Sequence, residues 1–288
     1  MTDRDIAILA SIEAAHYLTI EHLQWLHWPT VRAQFRAARE AGAQSGYGPS
    51  KSYERARFLV NAGLITPIIR AANRGETTFA RLRNAFCITE RGCEMIAGRY
   101  GLSVENLLYE ARREQSLLTL EHGVAIGTFY AALRSELEYR GLRLDGWMVD
   151  HRLSRDYDTV EVAQDSRPLP VLPDATFTLD GTRYFVEIDR ATTRLSQWVK
   201  RARALKAYTH SAALKRRYGV DTFVVLVVAP SAERVQAIAR TVAGVNLDPS
   251  PAYRFTTEDR LHPSTIRRRW QMVTSVSWPD RHHGGAHR

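Results

Sequence analysis

The sequence predicts a chain of two domains and a tail: a winged helix-turn-helix of α+β type over residues 1–100, an α/β domain over residues 101–246, and a basic tail over residues 247–288 to which no fold is assigned. Three observations predict it. The first hundred residues carry helix signals and one hairpin signal in the order helix, helix, helix, hairpin, helix. Past Arg140 the hydrophobic period shortens from 3.6 towards 2, in short apolar runs separated by long helical ones. Charge is segregated too: residues 1–100 hold 13 Lys/Arg and 9 Asp/Glu, residues 101–189 hold 9 and 16, and residues 190–288 hold 18 and 6, so an acidic middle lies between basic flanks.

At 288 residues each domain can bury a core of its own. Hydrophobic residues at 44% and charged residues at 25% match the globular average, which excludes a disordered chain and a disulfide scaffold. Cys87 and Cys93 fit no metal-ligand spacing and read as reduced thiols of a cytoplasmic protein. The opening MTDRDIAILA is acidic and amphipathic, and the longest apolar run, Phe223 to Pro230, is too short to span a bilayer, so neither secretion nor membrane insertion is expected. A net charge of +9 points to a polyanionic partner.

Thr2 caps a first helix whose apolar positions are Ile6, Leu9 and Ile12 and which ends near Ala15. Thr19 caps a second, through Leu26, and Trp28-Pro29 stops it. After a basic stretch with Arg32, Arg36 and Arg39, the Gly- and Ser-rich run 42–50 reads as a loop. Ser50 then caps a helix over Lys51 to Ala62, with Tyr53, Ala56 and Phe58-Leu59-Val60 inward and Lys51, Glu54, Arg55 and Arg57 outward; Gly63 ends it. This is the candidate recognition helix. Extended segments at Thr66 to Arg70 and Phe79 to Ile88, turned by Asn73-Arg74-Gly75-Glu76, make the wing, and Thr89 opens a closing helix to about Tyr100.

From Val104 to Arg140 the pattern is helical, with an interruption expected at Glu121-His122-Gly123. Strands are expected at Leu144 to Arg152, Leu172 to Leu179, Arg183 to Asp189 and Thr222 to Ala229, with one long helix over Thr193 to Tyr218 and another over Ala232 to Ala243. Strand, long helix, strand implies a parallel crossover.

The chemistry-bearing feature is Pro173-Asp174 at the head of one strand and Glu187-Ile188-Asp189 at the end of the next, joined by an Asp180-Gly181 turn. Alternation puts Glu187 and Asp189 on one face, and the hairpin brings Asp174 opposite them, so three carboxylates are expected to converge. Such a cluster persists where a hard cation neutralises it, and Mg²⁺ or Mn²⁺ prefers oxygen ligands. The bland alternative is that Asp174 caps a turn, Glu187 pairs with an arginine and Asp189 begins a loop. The helix from Thr193 carries Arg194, Lys200, Arg201, Arg203, Lys206, Lys215, Arg216 and Arg217 with no acid, a pattern that suits a phosphate backbone better than a plain solvated face. Trp198 reads as core. No G-x-x-x-x-G-K-S/T loop supports ATP-driven chemistry, and His282, His283 and His287 in the tail carry nothing specific.

Ile88-Thr89-Glu90-Arg91-Gly92, Glu121-His122-Gly123, Pro173-Asp174-Ala175-Thr176-Phe177, Phe185-Val186-Glu187-Ile188-Asp189-Arg190-Ala191-Thr192 and Lys206-Ala207-Tyr208, taken together, resemble the bacterial replication-relaxation family over roughly residues 2–230. The resemblance implies a role in the replication and DNA relaxation of plasmids and mobile elements, and a C-terminal half similar to PD-(D/E)XK nucleases in which Asp174 and Glu187 match the metal-binding positions. One departure stands out. That motif places Lys two residues after the second acid, and this chain has Asp189 there, so Lys200 or Lys206 would have to reach back with the missing amine, unless catalysis has been lost and DNA binding kept. Glu121 is a further carboxylate on the preceding helix.

The expectation is therefore a cytoplasmic, nucleoid- or plasmid-associated factor that binds double-stranded DNA. Lys51, Arg55, Arg57 and Arg74 would contact it from the winged helix, and Arg201 and Arg203 from the second domain. Nicking would run through Mg²⁺ or Mn²⁺ on Asp174, Glu187 and Asp189 with Lys200 or Lys206 assisting. The alternative is a regulator without a metal whose nuclease-like domain forms a homodimer or holds DNA; a weaker one is a transcription factor with a ligand-sensing second domain.

Overall fold

In the N-terminal third, α1 (Asp3–Ala15) begins where the Thr2 hydroxyl and amide donate to Asp5, a capping box that also buries the Asp5 carboxylate. A short strand β1 (Leu18–Thr19) leads into α2 (Ile20–His27), whose first turn is closed by the His22 amide donating to Thr19 Oγ1 at 3.2 Å. Then come α3 (Ser50–Asn61), ended by Gly63 at φ +68°, and strands β2 (Ile65–Pro67) and β3 (Ala85–Ile88). The three strands form an antiparallel sheet in the order β1-β3-β2. Thr89 caps α4 (Glu90–Tyr100), and α5 (Val104–Leu108) follows. The structure, a computed structural model, describes residues 1–29, 33, 50–68, 84–108, 117–245 and 251–263. The expected wing turn with Arg74, the basic stretch with Arg32, and the His-rich end lie outside the described residues.

The remainder is built on a five-stranded mixed sheet in the order β10-β9-β8-β7-β4. Its strands are β4 (Asp145–Val149), β7 (Ala175–Leu179), β8 (Thr182–Ile188), β9 (Val224–Ala229) and β10 (Ala252–Thr257). β4, β7 and β8 are antiparallel neighbours, whereas β8-β9 and β9-β10 are parallel. The parallel pairs follow from the crossovers: α8 (Leu195–Thr209) and α9 (Ala212–Tyr218) lie between β8 and β9, and α10 (Ala232–Ala243) lies between β9 and β10. A long α6 (Leu117–Tyr139) precedes the sheet, a short α7 (Asp150–Leu153) follows β4, and β5 (Asp158–Val160) pairs with β6 (Leu169–Val171).

Alternation along β8 and β9 divides the core between two faces. Val186, Ile188, Leu226 and Val228 join α6 through Phe129, and the same cluster runs on through Ile8, Leu9, Ile12 and Leu23 of α1 and α2. Phe185, Val225 and Val227 face the other way, onto Trp198 and Leu205 of α8 and Ile238 and Val242 of α10. The N-terminal helices and the large sheet thus share one apolar cluster, with α6 between them. No helix among the described residues is long and apolar enough to cross a membrane.

Four expectations are corrected. Tyr53 and Phe58 of α3 are exposed, because its buried stripe is Ser52, Ala56 and Leu59 at helical spacing and both aromatics fall off it. α6 runs unbroken through Glu121-His122-Gly123: Gly123 and Gly127 are contact points, where a Cβ would come within 2.5 Å of the Tyr17 ring and 2.1 Å of its carbonyl oxygen. The long helix after the second strand is two, divided at His210-Ser211, where Ser211 is extended and its hydroxyl donates to the Tyr208 carbonyl. Part of the tail is β10, which extends the sheet.

Candidate functional site

The site begins with the β7-β8 hairpin. Asp180 and Gly181, at φ +48° and +73°, make a turn whose twist suits adjacent antiparallel strands, and the register Ala175↔Val186 that it sets brings Asp174 beside Glu187. The Asp174 amide donates to the Val186 carbonyl at 3.0 Å, and Asp174 Oδ2 accepts the Ile188 amide at 2.6 Å. Both carboxylates are buried, and each has a cation from a different face of the sheet. His122 Nε2 of α6 lies 3.1 Å from Asp174 Oδ1. Arg201 Nη1 of α8 donates to Glu187 Oε2 at 2.5 Å.

Asp189 stands apart. β8 ends at Ile188 and the chain turns at Ala191, φ +59°, so the alternation that should align Asp189 with Glu187 stops one residue short. Its carboxylate accepts Arg234 Nε and Nη2 of α10 at 2.9 and 2.8 Å, Trp198 Nε1 at 2.8 Å and the Ala191 amide at 2.6 Å. Arg234 also donates to the Thr193 carbonyl. This bidentate clamp ties the end of β8 to α8 and α10, and Trp198, read as core, is its third member. The expected convergence of three carboxylates is therefore corrected to a pair, Asp174 and Glu187.

Protonation follows from these partners. Burial depresses His122, but its hydrogen bond to Asp174 and the charges of Asp174, Asp150 and Glu187 outweigh that and raise it above the ordinary histidine value. Burial raises Asp174, and the His122 contact with the Arg201 charge brings it net below the carboxylate range. Glu187 is pushed up to about 8 by burial, with Asp174 adding to the rise and Arg201 opposing it. Asp189 is held low: burial raises it, but Arg234, Trp198 and the Ala191 amide prevail. The pair is thus two acids with two cations already built in.

That arrangement does not fit the divalent-ion site expected of Asp174, Glu187 and Asp189. Two acids are compensated by His122 and Arg201, the third is saturated by four donors, and among the described residues no three His, Cys, Asp or Glu side chains group as metal ligands. Lys200 is exposed on α8, and Lys206 lines a cleft of about 580 Å³ with Glu161, Arg203, His210 and Arg240. The cation that reaches back to the acids is Arg201. Glu121 faces Arg190, which also binds Glu258 at 2.6 Å.

The basic run of α8 and α9 meets acids from other elements: Arg203 with Asp165 at 3.8 Å, Lys215 with Asp221 at 3.0 Å, Arg217 with Asp156 at 3.3 Å. On α3, Lys51 and Arg57 are exposed, but Arg55, expected to face outward, is clamped by Asp5 of α1 and stacks on the Phe58 ring at 4.4 Å. Sequence reasoning missed His122 and Arg234 as partners of the acids; His122 sat inside a quoted motif, whereas nothing local marks Arg234.

No curated protein matches the chain. Among solved structures, protein VC1899 from Vibrio cholerae is similar at 9% identity and a TM-score of 0.35; the likeness covers 95% of this chain and 58% of that one, so this chain spans a little over half its length. The replication-relaxation family matches residues 9–224, from within α1 to the first residue of β9 and well over half of the sequence, and the chain belongs to that family.

Proposed function

We propose that the chain binds duplex DNA during the replication or relaxation of a plasmid or other mobile element, and that its C-terminal half, arranged like a PD-(D/E)XK nuclease, holds DNA without cutting it. Family membership supports the setting. For binding, the support is the order of α1, α2 and α3 followed by β2 and β3, the order of a winged helix-turn-helix, with Lys51 and Arg57 on the exposed side of α3 where a recognition helix meets the major groove. Tyr53 and Phe58 stand exposed on the same helix, available to thymine methyl groups or sugars. Arg55 belongs to the scaffold in this reading, since its guanidinium joins α3 to α1.

The observation that carries the non-cutting part is Arg201 on Glu187. A nuclease of this kind needs a carboxylate pair that attracts a divalent cation and the phosphate behind it; here the protein supplies the neutralising charge itself. The test is a supercoiled-plasmid nicking assay with Mg²⁺ and with Mn²⁺ beside a salt titration of duplex binding. Salt-sensitive binding with no nicked product is expected. Metal-dependent nicking that disappears in Asp174→Asn would replace this reading with a metal-dependent nickase, for which the adjacency of Asp174 and Glu187 speaks.

A further inference from the structure

Three cations serve the acids at the end of β8, and they are not equally enclosed. The side chain of Arg234 is 17% exposed, that of His122 27% and that of Arg201 37%. Arg234 is fixed by the bidentate clamp and the Thr193 carbonyl. Arg201 makes its one described hydrogen bond to Glu187 and rests over the Trp198 ring at 5.5 Å, so it is the cation that solvent, or a ligand in solvent, reaches most readily.

Tyr253 on β10 is the second observation. The registers Tyr253↔Val225 and Phe185↔Val225 put it on the face of the sheet that carries Phe185 and Glu187, beneath α8 and α10. Its hydroxyl is buried and has no hydrogen-bond partner among the described residues. Burial first and then the Glu187 charge raise the pKa of this hydroxyl while Arg201 lowers it, so it lies within electrostatic reach of both. Buried hydroxyls in folded proteins nearly always find an acceptor. The Glu187 carboxyl group, on the same face of the sheet, has its Oε2 bonded to Arg201.

We propose that Arg201 is an exchangeable phosphate-binding cation, and that Tyr253 is the donor to which Glu187 is handed when Arg201 turns outward to a phosphodiester. The inference rests on the DNA-binding reading above for the identity of its ligand. No covalent bond is made or broken: the guanidinium leaves the Glu187 carboxyl group for a phosphate oxyanion, and the Tyr253 O–H donates to the carboxyl oxygen left behind. Without Tyr253 the exchange would leave Oε2 of buried Glu187 without a donor, because His122 is already engaged with Asp174.

The test is a double-mutant cycle of Tyr253→Phe and Arg201→Gln, reading the melting temperature of the DNA-free protein and duplex affinity at fixed salt. Tyr253→Phe removes a hydroxyl that makes no bond among the described residues in the free state, so it should melt at or above the wild-type temperature yet bind DNA about fivefold more weakly, the effect of one ordinary hydrogen bond. Arg201→Gln should weaken binding at least as much, and the double variant no further, since both act on one exchange; Arg201→Lys takes its place should the Gln variant fail to fold. A lower melting temperature for Tyr253→Phe, wild-type affinity, or additive losses would each overturn the proposal. Inorganic phosphate against chloride at equal ionic strength separates it from the DNA reading. If the wild-type chain binds no duplex, thermal stabilisation by phosphate that falls in both variants keeps the exchange, and equal stabilisation in all of them ends it.

Discussion

Asp189 is where sequence and structure make opposite demands, and Asp189→Asn separates them. As a metal ligand crowded against Asp174 and Glu187, Asp189 would be a repulsive charge in the metal-free protein, and neutralising it would leave stability unchanged or raise it. The structure instead gives its carboxylate two bonds from Arg234, one from the Trp198 indole and one from the Ala191 amide. The asparagine amide must turn its NH₂ towards at least one of these donors. It therefore loses at least one hydrogen bond to a charged group, worth about 1.5–3 kcal/mol, and leaves a largely buried guanidinium without its counter-ion. A loss of about 3 kcal/mol is expected in urea unfolding of metal-free protein, with little change in the denaturant slope. A cycle with Arg234→Met should show coupling above about 1.5 kcal/mol, because without Arg234 the Asn substitution leaves no guanidinium lacking its counter-ion. Asp189→Lys, which would rebuild the nuclease triplet on paper, places an ammonium against Arg234 and should destabilise more than Asn without creating cleavage. A change below about 1 kcal/mol for Asp189→Asn would refute the clamp, and a gain in stability would return Asp189 to the acid cluster.

Three further outcomes follow from the same geometry. Lys51→Gln with Arg57→Gln should flatten the salt dependence of duplex binding by about two units in the log–log slope with little effect on melting, whereas Arg55→Ala should lower the melting temperature because it breaks the clip to buried Asp5; the reverse assignment would move the recognition surface. Stability should fall as pH rises from about 4.5 to about 8, because folded Glu187 keeps up to about 8 a proton that the unfolded chain releases near 4.5, and His122, raised in the fold, adds to the fall above its ordinary value of 6.5; melting in Glu187→Gln should depend on pH more weakly. Gly127→Ala should cost about 1–3 kcal/mol in urea unfolding despite alanine's better helix propensity, since the new methyl meets the Tyr17 carbonyl oxygen; a neutral result would mean that α6 can shift away from it.

What the sequence revealed and what it hid divide along the range of the interactions. Capping residues, Gly63 and the Asp180-Gly181 turn are local signals, and they located α1, α2, α3, α4 and the β7-β8 hairpin to within a residue or two. The hairpin in turn placed Asp174 beside Glu187. What failed depended on partners far along the chain. Tyr53 and Phe58 are apolar residues on a helix, but which side of α3 is buried is decided by α2 and α1. Glycine weakens a helix taken alone, whereas Gly123 keeps α6 continuous and admits Tyr17, more than a hundred residues earlier. Asp189 was aligned with Glu187 on the premise that β8 continues; the strand stops at Ile188, and Arg234, 45 residues on, takes the carboxylate. The missing motif lysine had the same kind of answer. A cation does return to the acids from the following helix, but it is Arg201, next to the lysine that was considered. The difference matters chemically: an ammonium can position water through a single contact, while a planar guanidinium occupies a carboxylate along one edge and still presents donors outward. A site rebuilt around Arg201 is therefore suited to gripping a phosphate and poorly suited to activating water, and it is that change of residue type, more than the absence of lysine at position 189, on which the proposed non-cutting role rests.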